Sequence, residues 1–290
     1  MTNQSRREFV VALLFLLPNF VGFMVFLIIP AVGSFFISMS RWRLIDDPSW
    51  AGLQNFVELI RDDRFWLTLR NTATYALVRV PVNIAISLVL AVLLNQELVG
   101  RELFRTILFL PVVLSIVATA VMWLPIVESR GLLNSLLRHV GLGPVPWITS
   151  SRWAMPTVII IGVWKEIGYY LVIFLAGLQG IPSMYYEASR IDGASKVQQF
   201  FRITFPLISP TTFFVFTVAT IQSFQVFALT TVLTAGGPAN ATNTLVMYIY
   251  QSAFRNFRMG YASALAVMLF IIVLTITLVQ KKLSTRWVHT

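Results

Sequence analysis

Three ionisable side chains, Arg79, Lys165 and Glu166, stand inside long apolar stretches of this 290-residue chain. A charge at the centre of a bilayer costs roughly 2.5 to 3.5 kcal/mol on insertion scales, so such groups face a protein interior or a wet cavity. Helical spacing puts Arg79 on one stripe with Asn83 and Ser87. Lys165 and Glu166 are adjacent and therefore point different ways, Lys165 with Tyr169 and Glu166 with Tyr170. Two uses fit these groups: a polar pathway for a solute or ion, or an Arg79–Glu166 ion pair that holds two helices together. Gln222 and Gln225 extend the choice. Each amide offers donors and an acceptor that match the hydroxyls of a polar solute, and each equally suits a helix-to-helix bond. Trp123, Trp164 and Tyr169 can stack on the face of a ring-shaped solute or serve as packing and interface anchors. Thr220, Ser223, Thr230 and Thr234 are predicted to share another face of the same span, where hydroxyls can return their bonds to their own helix.

Other chemistries are poorly served. The chain has no cysteine, so it offers neither a thiol nucleophile nor a disulfide framework. Its two histidines, His139 and His289, are far apart in sequence, and no metal site is predicted. Gly193-Ala194-Ser195-Lys196 lacks the spacing of a phosphate-cradling loop. No catalytic residue and no cofactor are therefore expected on this chain, and a membrane-embedded enzyme is disfavoured. The net charge of +10 is scattered among loops without a basic stripe, which argues against nucleic acid as a partner.

The elements that must position these residues are membrane helices. Hydrophobic residues make up 57% of the chain and charged ones 12%, and the mean hydropathy is +0.77. That composition, with several apolar runs long enough to cross a bilayer, predicts an all-α polytopic membrane protein. Six spans are predicted, roughly Val10 to Met39, Asn71 to Leu94, Leu103 to Val127, Pro156 to Leu178, Leu207 to Leu233 and Tyr261 to Gln280. Residues 1–9 form an N-terminal tail and 10–290 the membrane domain. The first run is read as an uncleaved anchor because it is longer than the apolar core of a signal peptide, with Pro18 and Pro30 as kinks or boundaries. Charge does not orient the chain. With both termini inside, the inner segments hold Arg6, Arg7, Arg101, Arg105, Arg190, Lys196, Arg202, Lys281, Lys282 and Arg286, and the outer segments hold as many.

Between the fourth and fifth spans lies a polar hairpin, 182–206. Ser183 is a plausible cap for a helix over Met184 to Asp192, and Gly193 can supply the left-handed residue that stops it. Ser195 can cap a second helix through Arg202, and Pro206 marks entry into the next apolar segment. Tyr185, Ala188, Ser189 and Asp192 then fall on one side of the first helix, a small-residue knob suited to a partner's groove.

Glu187-Ala188-Ser189, three residues, Gly193, nine residues, then Ile203-Thr204-Phe205-Pro206 resembles the cytoplasmic coupling loop of membrane subunits of binding-protein-dependent ATP-binding-cassette importers. Ser189 and Phe205 depart from that pattern, replacing an alanine and a leucine. Leu233-Thr234-Ala235-Gly236-Gly237-Pro238, Gly260-Tyr261-Ala262-Ser263-Ala264 and the run from Trp164 to Leu178 look like the sugar-type permeases of that class. Many relatives carry an acidic residue where Ala228 stands, so a substrate contact from that position is not carried over. The resemblance implies a carbohydrate permease in a bacterial or archaeal plasma membrane, with both termini cytoplasmic. It implies a second permease in a heterodimer, two ATPase subunits holding ATP and magnesium, and an extracytoplasmic solute-binding protein. Tyr185, Glu187, Ala188, Ser189, Asp192 and Gly193 would then couple to the ATPase. Arg79, Asn83, Lys165, Glu166, Tyr169, Gln222 and Gln225 would line the pathway. An ion-coupled secondary transporter using Arg79, Lys165 and Glu166 as a relay is the alternative. Gly260, Ala262, Ala264 and Ala266 are read as close helix packing.

Overall fold

A computed structural model describes residues 3–96 and 99–285, with the side chains of 3–10 outside the description. The side chains of Arg6 and Arg7, together with Arg286 and His289, therefore lie outside the described residues.

In chain order the elements are α1 (Asn3–Phe23), a π turn (Met24–Ile28), α2 (Ile29–Ser38), strands β1 (Ser40–Arg41) and β2 (Ser49–Trp50), α3 (Gln54–Arg61), α4 (Asp63–Leu94), α5 (Arg101–Val113), α6 (Ile116–Val127), α7 (Leu132–His139) and α8 (Ala154–Gln179). They continue with α9 (Ser183–Ile191), α10 (Lys196–Gln199), a second π turn (Phe200–Thr204), α11 (Phe205–Leu207), α12 (Ser209–Phe224), α13 (Ala228–Thr234), α14 (Leu245–Tyr250), a third π turn (Gln251–Arg255) and α15 (Met259–Ser284). The all-α membrane fold stands. The segments Val11–Ser38, Asp63–Leu94, Ile116–His139, Ala154–Gln179 and Met259–Ser284 are long and apolar enough to cross a bilayer. A sixth crossing arises if Lys196–Leu207 and Ser209–Phe224, bent by 65°, count as one.

Two predicted spans prove to be broken. Leu103 to Val127 is interrupted where Leu114 adopts an extended backbone and Ser115 caps α6 by accepting from the Ala118 N–H at 3.1 Å. Leu207 to Leu233 is interrupted twice, at Ile208 and again over Gln225 to Phe227. Thr220 and Ser223 consequently sit on α12 while Thr230 and Thr234 sit on α13, so the predicted common face does not exist. In a bilayer each break must find internal partners for its freed carbonyls. The Lys165 ammonium donates to the Pro111 and Val112 carbonyls at 2.8 and 3.1 Å, Thr244 donates to the Val226 carbonyl at 2.9 Å, and Thr230 and Thr231 both donate to Phe227. Two of the π turns end two residues before a proline, Pro30 or Pro206. A proline lacks the N–H for the normal bond and crowds the preceding turn, and widening the helix accommodates it.

The chain parts into two compact units, Met1–Asp62 with Ile249–Phe270, and Asp63–Tyr248 with Ile271–Thr290. In the first, α3 is fixed by Asn55, whose amide donates to the Ser38 and Ser40 carbonyls at 2.8 Å each, and by a two-pronged Arg258–Glu58 pair at 2.6 and 2.7 Å. A side chain at Gly260 would collide with the Ser40 carbonyl, which bears out the reading of that position as close packing. The second unit has α8 at its centre. Lipid tails are as apolar as leucine, so close backbone approach replaces hydrophobic burial as the packing force. α8 supplies it with three glycines. Gly162 leaves room for Tyr75 and Arg79 of α4, Gly168 for the Leu108 carbonyl of α5, and Gly177 for Thr211 of α12. Val80, Leu88, Tyr170, Phe174 and Val215 fill one core around these contacts.

Candidate functional site

The hairpin 182–206 folds largely as its residues dictate. Gly193 has φ +74, and the Gly193 and Ala194 N–H groups return to the Arg190 and Ser189 carbonyls at 3.1 and 2.9 Å, the paired bonds of a glycine-terminated helix. Ser195 and Gln198 cap each other reciprocally at the start of α10. Two details differ from expectation. α9 begins at Ser183 with Pro182 in the cap position and no side-chain cap bond, because proline's fixed φ presets the entry. Ser189 also turns inward. Its hydroxyl donates to the Tyr186 carbonyl at 2.9 Å and accepts from the Gln199 amide at 2.8 Å, while Tyr186 reaches Thr204 at 3.0 Å, so Ser189 braces α9 against α10. Tyr185, Glu187, Ala188 and Asp192 remain exposed, as a docking knob needs. Met184, Val197 and Phe201 are also open, and Ile191 is 87% exposed. Apolar residues in a polar loop are the sequence signal for this exposed apolar set.

A second cluster lies deep in the spans. Arg79 of α4 and Glu166 of α8 form an ion pair. The guanidinium also donates to the Ser223 hydroxyl at 2.7 Å and lies over the Tyr75 ring, its carbon 5.3 Å from the centroid. Tyr170 joins the pair to α12, with its hydroxyl 3.2 Å from Glu166 and 2.8 Å from the Gln222 side chain. One hydroxyl proton cannot serve two acceptors. Turning the Gln222 amide so that its nitrogen faces the hydroxyl lets Tyr170 accept from Gln222 and donate to Glu166, which gives both contacts a donor.

Buried Arg79 thus connects through Glu166 and Tyr170 to an open surface. Gln222 is exposed there, Tyr169 stands edge-on to Tyr170 at 5.2 Å, and Glu166 is only partly covered; Gln225, three residues after Gln222, is exposed too. Ser87 donates to the Ile167 carbonyl at 3.0 Å and packs α4 against α8. Asn83 between them is 1% exposed and neither of its amide atoms bonds a described residue. The Lys165 ammonium makes its hydrogen bonds outside this cluster, to the carbonyls at the end of α5. Trp123 and Trp164 meet edge to face at 5.4 Å.

The turn around Gly236, Gly237 and Pro238 is pinned to α4. The Asn71 amide donates to the Asn240 and Asn243 carbonyls at 2.8 and 3.0 Å, and Thr72 accepts from the Leu245 N–H at 2.9 Å. It thereby anchors the α13 region to the helix that carries Arg79.

Residues 83–289 match the family described as "Binding-protein-dependent transport system inner membrane component". The chain belongs to that family. It is an ABC-transporter permease subunit. The permease is 39% identical to the probable ABC transporter permease protein YesP of Bacillus subtilis, over 99% of this chain and 94% of YesP. It is 33% identical to the trehalose/maltose transport system permease protein MalF of Thermococcus litoralis, over 96% and 95% of the two chains. A chain of the bacterial alginate ABC transporter, solved in complex with an alginate pentasaccharide-bound periplasmic protein, matches with a TM-score of 0.86 at 26% identity, over 97% of the permease and 96% of that chain. These relationships give no support to an ion-coupled secondary transporter.

Proposed function

We propose that this permease forms, with a second permease subunit, the pathway by which a carbohydrate crosses a bacterial or archaeal plasma membrane, driven by ATP hydrolysis on separate chains. The observation that carries the pathway is the partial exposure of Glu166 and its link through Tyr170 to the exposed Gln222, with Tyr169 and Gln225 also exposed. Glu166 lies near the midpoint of α8, where lipid would penalise a carboxylate by a few kcal/mol. That face therefore requires water or another protein against it, and a second permease enclosing a wet passage supplies both. In this reading, supported by the partial exposure of Glu166, Arg79 is the structural half of the pair and Glu166 the half that meets the passage.

The sugar class is supported by the trehalose/maltose and alginate systems among the relatives. In this reading residues 10–290 form the permease domain, the tail 1–9 and the C-terminus are cytoplasmic, and the loop 182–206 meets one of two ATPase subunits, which hold ATP and magnesium. Tyr185, Glu187, Ala188 and Asp192 make the contact, and Ser189 and Gly193 keep the hairpin rigid. A solute-binding protein delivers sugar on the outer side. Alternating access needs contacts that differ between two states. A hairpin braced by Ser189–Gln199 and Tyr186–Thr204 moves as one body and passes ATPase closure to α12 through α11.

Co-purification of the assembled importer, followed by identification of the solute on its binding protein and ATP-driven uptake of that solute in proteoliposomes, tests the proposal. Uptake driven by an ion gradient without the ATPase would refute it.

A further inference from the structure

Behind the hairpin is a cavity of about 570 Å³, walled by the last turns of α4 and α8 on one side and by α9, α10 and the second π turn on the other. Arg190 and Lys196 line it, and among its described lining residues there is no acid. Arg190 is tethered by its Nε, which donates to the Tyr186 carbonyl at 3.3 Å. Among the described residues neither cation has an acidic partner. Asn95 adds an amide to the lining. Val92, Leu178 and Phe200 give the lining an apolar part.

We propose that this cavity binds the phosphate headgroup of an anionic phospholipid and that the bound lipid steadies the coupling hairpin. Two cations and the Asn95 amide match a phosphodiester, and the apolar lining residues match the glycerol ester and first acyl carbons. Such basic pockets at the ends of membrane helices suit anionic headgroups. A free phosphate compound would match the cations and leave the apolar wall without a use. Asn95 and Leu178 close two membrane-spanning helices, so the cavity sits at the edge of the hydrocarbon, where a headgroup is already present. The effect on coupling rests on the proposed contact between the hairpin and the ATPase, whereas lipid binding does not.

The complete importer, purified from mixed phosphatidylglycerol and phosphatidylcholine, is assayed by native mass spectrometry for retained lipid. The wild type should retain phosphatidylglycerol selectively, and the Arg190→Gln/Lys196→Gln variant should lose about thirtyfold in that selectivity, from the loss of two cations near the membrane surface. Arg190→Lys/Lys196→Arg should keep it, and Asn95→Glu, which introduces a negative charge, should abolish it without touching either cation. Added glycerol phosphate should not displace the lipid. Displacement at millimolar glycerol phosphate would overturn the lipid in favour of a soluble ligand, and unchanged selectivity in the doubly neutralised variant would overturn the site. Crosslinking of Met184→Cys to the ATPase is the separate check on the functional reading: its failure alongside selective lipid retention refutes the coupling contact and leaves the lipid site standing.

Discussion

Arg79 and Glu166 pair across α4 and α8 with unequal burial: the arginine side chain is 3% exposed and the glutamate 27%. Removing one partner of a buried pair leaves the other uncompensated, at about 3–5 kcal/mol. Glu166→Leu should incur that loss in full, because Arg79 has no route to water. Arg79→Met should cost clearly less, because Glu166 keeps an open side and Tyr170 as donor. The double variant should be more stable than Glu166→Leu alone. Thermal unfolding of the purified importer distinguishes these cases, and equal losses for the two single variants would refute the asymmetry.

Gly193 offers a cleaner test of the hairpin. No atom lies within 4 Å of where its side chain would sit, so a substitution acts through the backbone alone. Gly193→Val forces a branched residue to φ +74, about 1–2 kcal/mol of local strain, whereas Gly193→Asn occupies that region readily. Valine should raise the ATP hydrolysed per sugar imported, and asparagine should leave the ratio near wild type. Coupled uptake at the normal ratio in an assembled valine variant would remove the rigid hairpin from the mechanism.

Lys165 is predicted to act on the break between α5 and α6. Its two hydrogen bonds to the Pro111 and Val112 carbonyls are charge-assisted, each worth about 1.5–3 kcal/mol. Lys165→Met should loosen the end of α5, seen as faster amide exchange around 111–118, while the pathway-facing residues keep their protection. An effect on sugar affinity with no change in exchange would return Lys165 to the pathway.

What was legible in the sequence divides along the range of the interactions. The stop at Gly193 and the cap at Ser195 are local, each decided within a few residues, and both appear where the spacing puts them. α8 was legible because one apolar run crosses without interruption. The broken crossings were not, because their exposed carbonyls are satisfied by donors remote in sequence: Lys165 for α5 and Thr244 for the end of α12. The cost of a buried charge singled out Arg79 and Glu166 as partners, but it carried no information that Tyr170 would link them to Gln222. Ser189 shows the same limit on a smaller scale. Helical periodicity placed it on the docking side, and a single bond from Gln199, ten residues away, turned it inward.

Gln222 and Gln225 provide the sharpest test of the pathway because both are exposed and stand one turn apart, yet only Gln222 reaches Tyr170. Gln225→Leu removes a polar group that braces nothing through its side chain among the described contacts. It should weaken sugar uptake as a raised KM while leaving unfolding unchanged. Gln222→Leu should change both: the Tyr170 hydroxyl loses a partner, about 1 kcal/mol, and Glu166 loses the ordering that Tyr170 transmits. Uptake kinetics and unfolding midpoints of the two variants, measured side by side, give four numbers. If Gln225→Leu leaves KM at its wild-type value, the open face is not the passage. If Gln222→Leu changes stability alone, the chain from Arg79 ends in packing and the sugar crosses elsewhere.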